Sequence, residues 1–429
     1  MKKVFTILVL VISLMVVNAG IISASDYSPP SGVLSPDEVD FGGKTVTIVS
    51  WDLRRAVPTD ARLAEAEELF NVKIDTLVLQ DAEQMMARIL AGDAKYDICQ
   101  QSHRVEYFKL VSANMLLPAD DYLPEEFFES LPSIDRHIIE KLKYRGKRYG
   151  VALHDGIVND SITMMAYNKD LIEKYNQPDP YELAFKGEWT YEAFEQIAAA
   201  LTVDTDGDGI IDQYGMSNIG DGNALIRFAP SNGAETAVQE DGKWVFAFNR
   251  NNAINVVNAV RRWREMGIMG PGDFTTGKVG FLVRTHLGGV RHAKAAGVNF
   301  GLVPMPMGPD VDRYYYPAFE FWMTYLPINV EYPEGLIALA NFLYREEDRI
   351  PFLDQMVLDW MNTQQHYEMY IAAQENWQGE GDIFEGTDMW RILRPQLDQA
   401  LNGEKGAASA LDEVANQAQA FLDDFFDQN

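Results

Sequence analysis

The strongest constraint on the fold is an alternation of element types between residues 45 and 99. Thr45-Val-Thr-Ile-Val-Ser50 is a β-branched run of the kind that forms a strand buried on both faces. Ala61–Phe70 follows as a helix with an apolar face, then Val72–Leu79 as a second strand. Asp81, with Gln84 three positions on, has the capping-box spacing for a helix that Gly92 closes, and Tyr96-Asp-Ile-Cys99 is a short third strand. Parallel neighbours need a crossover long enough to hold a helix, so this order predicts a parallel sheet covered by helices.

The pattern resumes further on. Gly150–Leu153 and Ile162–Tyr167 are strand-like, and Thr190 caps a helix over 191–201, with Trp189 and Phe194 at the positions of a hydrophobic staple. Val298–Met305 and Phe319–Ile328 are further strands. Beyond them the chain is mainly helical, over Glu334–Tyr344, Phe352–Tyr370, Met389–Leu401 and Ala407–Phe426. Two α/β lobes result, and a cleft between lobes is the default ligand site.

Composition limits the partners. With 47% hydrophobic and 23% charged residues over 429 positions, the chain can bury a substantial core and is not disordered as a whole. Lys plus Arg is 36 against 64 Asp plus Glu, a net charge of −28, which argues against nucleic acid or anionic lipid as a broad partner because phosphate contacts need clustered cations. The single cysteine, Cys99, rules out an intramolecular disulfide framework.

Residues 1–25 have the form of a signal peptide: Lys2 and Lys3, an apolar run from Val4 to Val17, then small residues at Ala19-Gly20 and Ser23-Ala24-Ser25. No cysteine lies near those sites, so there is no lipid-anchor signal, and the expectation is export to the periplasm or extracellular space. The alternative, an uncleaved anchor, needs about 20 strongly apolar residues, and the run is shorter. Residues 26–40, with Pro29-Pro30, Gly32 and Pro36, read as a linker.

An acidic loop carries the most specific spacing. Asp204, Asp206, Asp208 and Asp212 occupy positions 1, 3, 5 and 9 of a loop with Gly209 at position 6, and the carbonyl of Ile210 adds a fifth hard oxygen. That set suits Ca²⁺, but position 12 is Gly215 where an EF-hand has its bidentate Glu, so the shell is incomplete. The reading is a structural calcium clip; the alternative is an Asp-Gly turn without metal.

Four segments together resemble the extracellular solute-binding proteins of carbohydrate-importing ABC systems, the group that contains maltose-binding protein. They are ILAGDAKYDICQ (89–100), GKRYGVALHDGIVNDSITMMAYNKDLIEKYN (146–176), FAFNRNNAINVVNAVRRWREMGIM with GVNFGLVPMPMGP (297–309), and MWRILRPQLDQALNGEKGAASALDEVANQAQ (389–419). The resemblance implies an α/β, two-lobed periplasmic-binding-protein fold of type II, with three hinge crossovers and a C-terminal helical region. It places the crossovers near Gly150–Leu153, Asn299–Leu302 and Phe321–Tyr325, so that 41–152 plus 300–325 form the N-terminal lobe and 153–299 plus 326–429 the C-terminal lobe. It further implies a saccharide ligand, the transmembrane permease subunits of an ABC transporter as partners, a monomer, and no catalysis. Acidic loops like 204–212 also occur in such proteins after a W-T-x-x-x-F helix, matched here by Trp189 to Phe194.

A neutral sugar offers hydroxyls and apolar ring faces, so its binder needs aromatic platforms and bidentate polar groups. Residues that follow strand ends qualify first, because α/β sheets bind ligands there. These are Trp51, Asp52 and Arg54 after the first strand, Gln101 and His103 after the third, and Asp155 after the first crossover. The resemblance adds Trp390 as a stacking tryptophan, Asn223 in a ligand loop, His286 as a further stacker and Trp322 at the third crossover; Gln101 stands where that branch has an aromatic. Trp189, Trp244 and Trp263 are left to packing. Two alternatives remain. One is a different solute such as ferric ion, for which Tyr314-Tyr315-Tyr316 is the candidate cluster. The other is a secreted, calcium-stabilised carbohydrate-active enzyme, although no H-E-x-x-H or G-x-S-x-G motif and no zinc spacing among six histidines is present.

Overall fold

The computed structural model describes residues 27–427 apart from 57–58, 80–81, 93–95, 105–106, 154–161, 284–289, 318–320, 349–354, 356–358, 377–381 and 385–386. Thr45–Ser50 lies between Lys73–Val78 and Ile98–Ser102, parallel to both. Ile48 and Val49 point to opposite faces of that central strand and both are fully buried, as its β-branched run requires. The intervening helices are Asp60–Leu69, where the Thr59 hydroxyl accepts the Arg62 N–H, and Ala82–Leu90, which gives way to Gly92 at φ +68°. The predicted cap Asp81 lies outside the described residues. A fourth strand, Trp322–Tyr325, joins antiparallel on the outer side of Ile98–Ser102.

The second sheet has the order Phe300–Pro304, Met164–Asn168, Val279–Val283, Tyr214–Ser217, Met269–Gly270. The last three are mutually parallel, and Met164–Asn168 is antiparallel to both of its neighbours. Helix Tyr191–Ala200 packs on Tyr214–Ser217 so closely that Gly215 is obligatory: a Cβ there would lie 2.3 Å from the Ala198 carbonyl oxygen. Thr190 caps that helix through the Ala193 N–H, and Trp189 meets Phe194 edge-on at 6.1 Å, the expected staple. Around them Tyr191, Phe228, Trp263 and Phe281 complete an aromatic core in which Trp189 and Trp263 are wholly buried. Trp244 is buried as well, on the hairpin Ala237–Glu240/Lys243–Phe246 whose Asp241-Gly242 turn has both φ positive.

Several expectations need correction. Phe300–Pro304 belongs to the second sheet, with Phe300 opposite Asn168 and Pro304 opposite Met164, so of 300–325 only the segment from Phe321 joins the first lobe. Helix Pro333–Leu343 belongs to the first lobe, not the second: it is apolar nearly all round, and Leu336, Leu339, Phe342 and Leu343 fill the core beneath Asp60–Leu69. Leu153 and Ile162, Pro317 and Phe321, and Tyr344 and Trp360 accordingly lie on opposite lobes, whereas Asn299–Leu302 and Phe321–Tyr325 each lie within one. Residues 27–40 are no free linker, because Val33 and Val39 are buried in the first-lobe core and Tyr27 packs edge-on against Phe342 at 5.2 Å. The predicted helix Phe352–Tyr370 is met by a described helix only at Gln364–Glu375, which overlaps its end and runs beyond it.

The C-terminal helices Asp388–Leu401 and Ala407–Phe426 pair with each other, and the second reaches across to the first lobe. Phe425 and Phe426 meet Phe108 and Tyr144 at 5.0–6.1 Å, and the Arg145 guanidinium donates to the carbonyls of Asp424 and Phe425 at the helix C-terminus. Lys141 and Glu235 form an inter-lobe ion pair at 2.9 Å.

Candidate functional site

The parallel strands of each sheet end in a cluster of polar and aromatic side chains. At the first edge, Trp51 leaves Thr45–Ser50 and its N–H donates to Oε1 of Gln101 at 3.0 Å, while Nε2 of Gln101 donates to the Leu79 carbonyl at 2.9 Å. Both ends of the Gln101 amide are therefore engaged with backbone, and the residue braces the strand ends. Ser50 and Asp52 close a small turn, the Ser50 hydroxyl donating to the Asp52 carbonyl at 2.9 Å.

The indoles of Trp51 and Trp322 stack with centroids 5.2 Å apart and planes 29° apart. The Arg55 guanidinium lies 4.5 Å from the Trp322 ring centre. Trp322 is 2% exposed and Trp51 half-buried. Each indole N–H is buried without an acceptor.

His103 pairs with Phe321 through both backbone and ring: its N–H donates to the Phe321 carbonyl at 2.8 Å, and Nδ1 accepts the Phe321 N–H at 2.9 Å. Because Nδ1 accepts, the neutral ring carries its proton on Nε2, and that N–H is buried without a partner. Burial, then the nearby Arg104 charge, push the His103 pKa down to about 3.

At the second edge, a hollow is lined by Ser217, Asn218, Asn223, Arg227, Asp273, Leu282 and Val283 among others. Helix Asp221–Phe228 presents Asn223 and Arg227 one turn apart, and starts from Gly220 at φ +81°, a conformation that glycine supplies without strain. Arg394 brings its guanidinium to 3.9 Å from where a side chain at Gly222 would begin.

Trp390 occupies another hollow, with Phe248, Thr236, Ile383, Phe384 and, from the first lobe, Lys141. Its ring meets Phe248 edge-on at 5.9 Å and its Nε1 donates to the Asp382 carboxylate. The structure thus gathers Trp51, Asp52, Gln101, His103 and Trp322 at one edge, with Asn223 at the other edge and Trp390 in its own hollow. Asp155 and His286 lie outside the described residues, as does the side chain of Arg54 on the short helix Leu53–Ala56.

Sequence reasoning missed Arg55, Asn218 and Arg227. Asn218 could have been found, since it directly follows a strand, Tyr214–Ser217, that a four-residue run containing glycine conceals. Nothing in the local sequence announces that Arg55 covers an indole more than 260 positions away.

In the acidic loop the carboxylates of Asp204, Asp206 and Asp208 come within 4.8 Å of one another. Asp204 accepts the N–H groups of Gly207 and Gly209, and Asp208 that of Ile210. Asp212 stands apart from this triplet: it pairs with Lys278 at 2.8 Å and with Thr205, and these partners hold its pKa well below the usual carboxylate range. The tyrosines 314–316 do not form a ligand set, because the Tyr314 hydroxyl accepts the Trp189 N–H and Tyr316 is buried in the second-lobe core.

No protein-family model matches the chain, and no curated protein matches it by sequence. Solved structures do match its fold. An ABC substrate-binding protein from Listeria monocytogenes in complex with cycloalternan aligns with TM-score 0.65 at 14% identity, over 89% of this chain and 99% of that one. The maltose/maltodextrin-binding domain MalE from Bdellovibrio bacteriovorus bound to maltotriose gives 0.60 at 17%, over 88% and 99%. An ABC transporter solute-binding protein from Thermotoga lettingae bound with α-D-tagatose gives 0.62 at 12%, over 89% and 100%. The chain therefore has the two-lobed α/β fold of ABC solute-binding proteins of the maltose-binding-protein type.

Proposed function

We propose that this protein is the substrate-binding component of an ABC importer, capturing a sugar, an oligosaccharide or a sugar-derived polyol between its lobes and delivering it to membrane permease subunits. The observation that carries the reading is the first-sheet edge: an indole with one face backed by a second indole, beside buried N–H donors that lack acceptors. A sugar supplies what this edge lacks, an apolar ring face for the indole and hydroxyl oxygens for the donors. The second edge adds Asn218, Asn223 and Arg227, which suit hydroxyl recognition from the opposite side. Solved proteins of this fold hold maltotetraose, mannotriose and ribitol in addition to those named above.

The export signal at 1–25 belongs to the same proposal. So does a monomeric state, and so does calcium in the acidic loop, held by Asp204, Asp206 and Asp208 as a structural clip. Among the described residues no helix is long and apolar enough to cross a membrane.

The test is a thermal-shift panel of maltotriose, maltotetraose, mannotriose, cycloalternan, tagatose and ribitol, with product analysis after prolonged incubation. A binding protein gives a saturable rise in melting temperature and unchanged sugar. A panel without any shift overturns the sugar reading, and release of shortened saccharide overturns the binding role in favour of catalysis.

A further inference from the structure

We infer that Trp322 and Arg55 are positioning residues for Trp51, whose outward indole face is the platform that the first lobe offers to a ligand ring. The inference rests on the sugar-binding reading and assigns the parts of that site. Trp322 lies in the strand Trp322–Tyr325 and is 2% exposed. Trp51 stacks on it at 5.2 Å, and Arg55 sits 4.5 Å from its ring centre. With an indole and a guanidinium both against it and only 2% of the residue exposed, Trp322 has no face left for a sugar.

Trp51 is different. One face rests on Trp322, and the residue is only half-buried at the end of its strand, where Trp322 is 2% exposed. Its backbone is held as well, through the Gln101 amide that is itself anchored to Leu79. Ring and main chain are both fixed before a ligand arrives, so little side-chain entropy is left to lose on binding. Arg55 and Trp322 act through this fixation: the cation polarises and clamps the inner indole, and the inner indole orients the outer one. The strand-end position nominates Trp51 as a ligand contact and the family resemblance adds Trp322; the stack gives them different roles.

Three measurements separate these roles. Circular dichroism of the ligand-free protein should show an exciton couplet from the two stacked indoles, lost in both W51F and W322F. In protein labelled with 5-fluorotryptophan, the Trp51 ¹⁹F resonance should shift and sharpen in W322A and R55M, while in W322F it stays broad because the ring stack persists. With maltotriose, mannotriose, tagatose and ribitol as probes, W51A should abolish the thermal shift, W322A should weaken affinity about tenfold, and W322F should stay within about twofold. A wild type without a couplet, a Trp51 resonance indifferent to W322A, or W322F as damaging to affinity as W322A overturns the inference. If none of the probes binds, the sugar reading falls, while the couplet and the ¹⁹F spectra still decide the stack.

Discussion

His366 makes the acid stability of the second lobe open to a quantitative test. The ring is fully buried and stacks on Phe300 with centroids 4.4 Å apart. Its Nε2–H donates to the Phe300 carbonyl at 2.8 Å, so Nδ1 is the unprotonated nitrogen, and it faces the Asn362 N–H, a donor, at 3.5 Å. A proton added at Nδ1 would meet that donor, and Lys169 and Lys294 add like charge nearby. Burial first, then the two lysines, lower the pKa from 6.5 to about 4.

The sign follows from linkage. The unfolded chain binds the proton below pH 6.5 and the folded chain only near 4, so stability is lost as pH falls through that window. Between pH 7 and pH 5 the loss amounts to about 2 kcal/mol for this one residue. His103, lowered to about 3, contributes a similar amount over the same range. Urea unfolding at pH 7 and pH 5 should therefore show the wild type losing about 2 kcal/mol more than His366→Gln. Carboxylates titrate in both proteins and cancel in the comparison. Equal losses in the two proteins would refute the argument that His366 is held neutral by its surroundings.

Other expectations follow from packing and from the acidic loop. Gly215→Ala should cost about 3 kcal/mol or more, because the new Cβ lies 2.3 Å from a backbone oxygen, whereas Gly277→Ala, with φ +76° and nothing within 4 Å, should cost only about 1 kcal/mol; thermal unfolding ranks the two. Phe426→Ala should cost about 3 kcal/mol, since the ring stacks on Trp244 at 5.3 Å and reaches Phe108 and Tyr144 across the lobes; chemical denaturation measures the loss. Calcium should raise the melting temperature relative to chelator, and Asp206→Asn should remove that difference; identical melting in calcium and chelator would refute the clip.

Elements set by local chemistry were legible in the sequence, and those set by distant pairing were not. Thr190 caps its helix and Trp189 meets Phe194 because the determinants lie within five residues of one another. Ala407–Phe426 begins and ends where its apolar pattern does. The third strand was predicted at Tyr96–Cys99 but runs over Ile98–Ser102, because Trp322–Tyr325 pairs with Cys99–Ser102 from more than 200 positions away. That extension changes the site: Gln101, expected in a ligand loop, becomes part of the ladder and uses its amide to hold strand ends. The division of 300–344 between the lobes failed for the same reason, since a strand's partner and a helix's burial surface are properties of the assembled chain. Residues 27–40 looked like a linker from their prolines, yet Val33 and Val39 were enough to anchor them once the first-lobe core was present to receive them.

The burial that makes the fold acid-sensitive also shapes its recognition chemistry. At the first edge the donors left for a ligand are the Trp51 indole N–H and the His103 Nε2–H, and neither changes charge between pH 5 and 8: indoles do not titrate there, and His103 stays neutral down to about 3. Neutral donors held without acceptors match a neutral, oxygen-rich ligand, and their contribution to binding is independent of pH over that range. A charged imidazolium would interact more strongly with anions, and a solvated one would leave no unmet donor for a sugar oxygen to fill. Keeping His103 uncharged requires removing it from water, and that same removal penalises the folded state as the medium acidifies. Ligand affinity at the first edge and global stability should therefore part company on acidification, with stability falling while affinity per folded molecule holds.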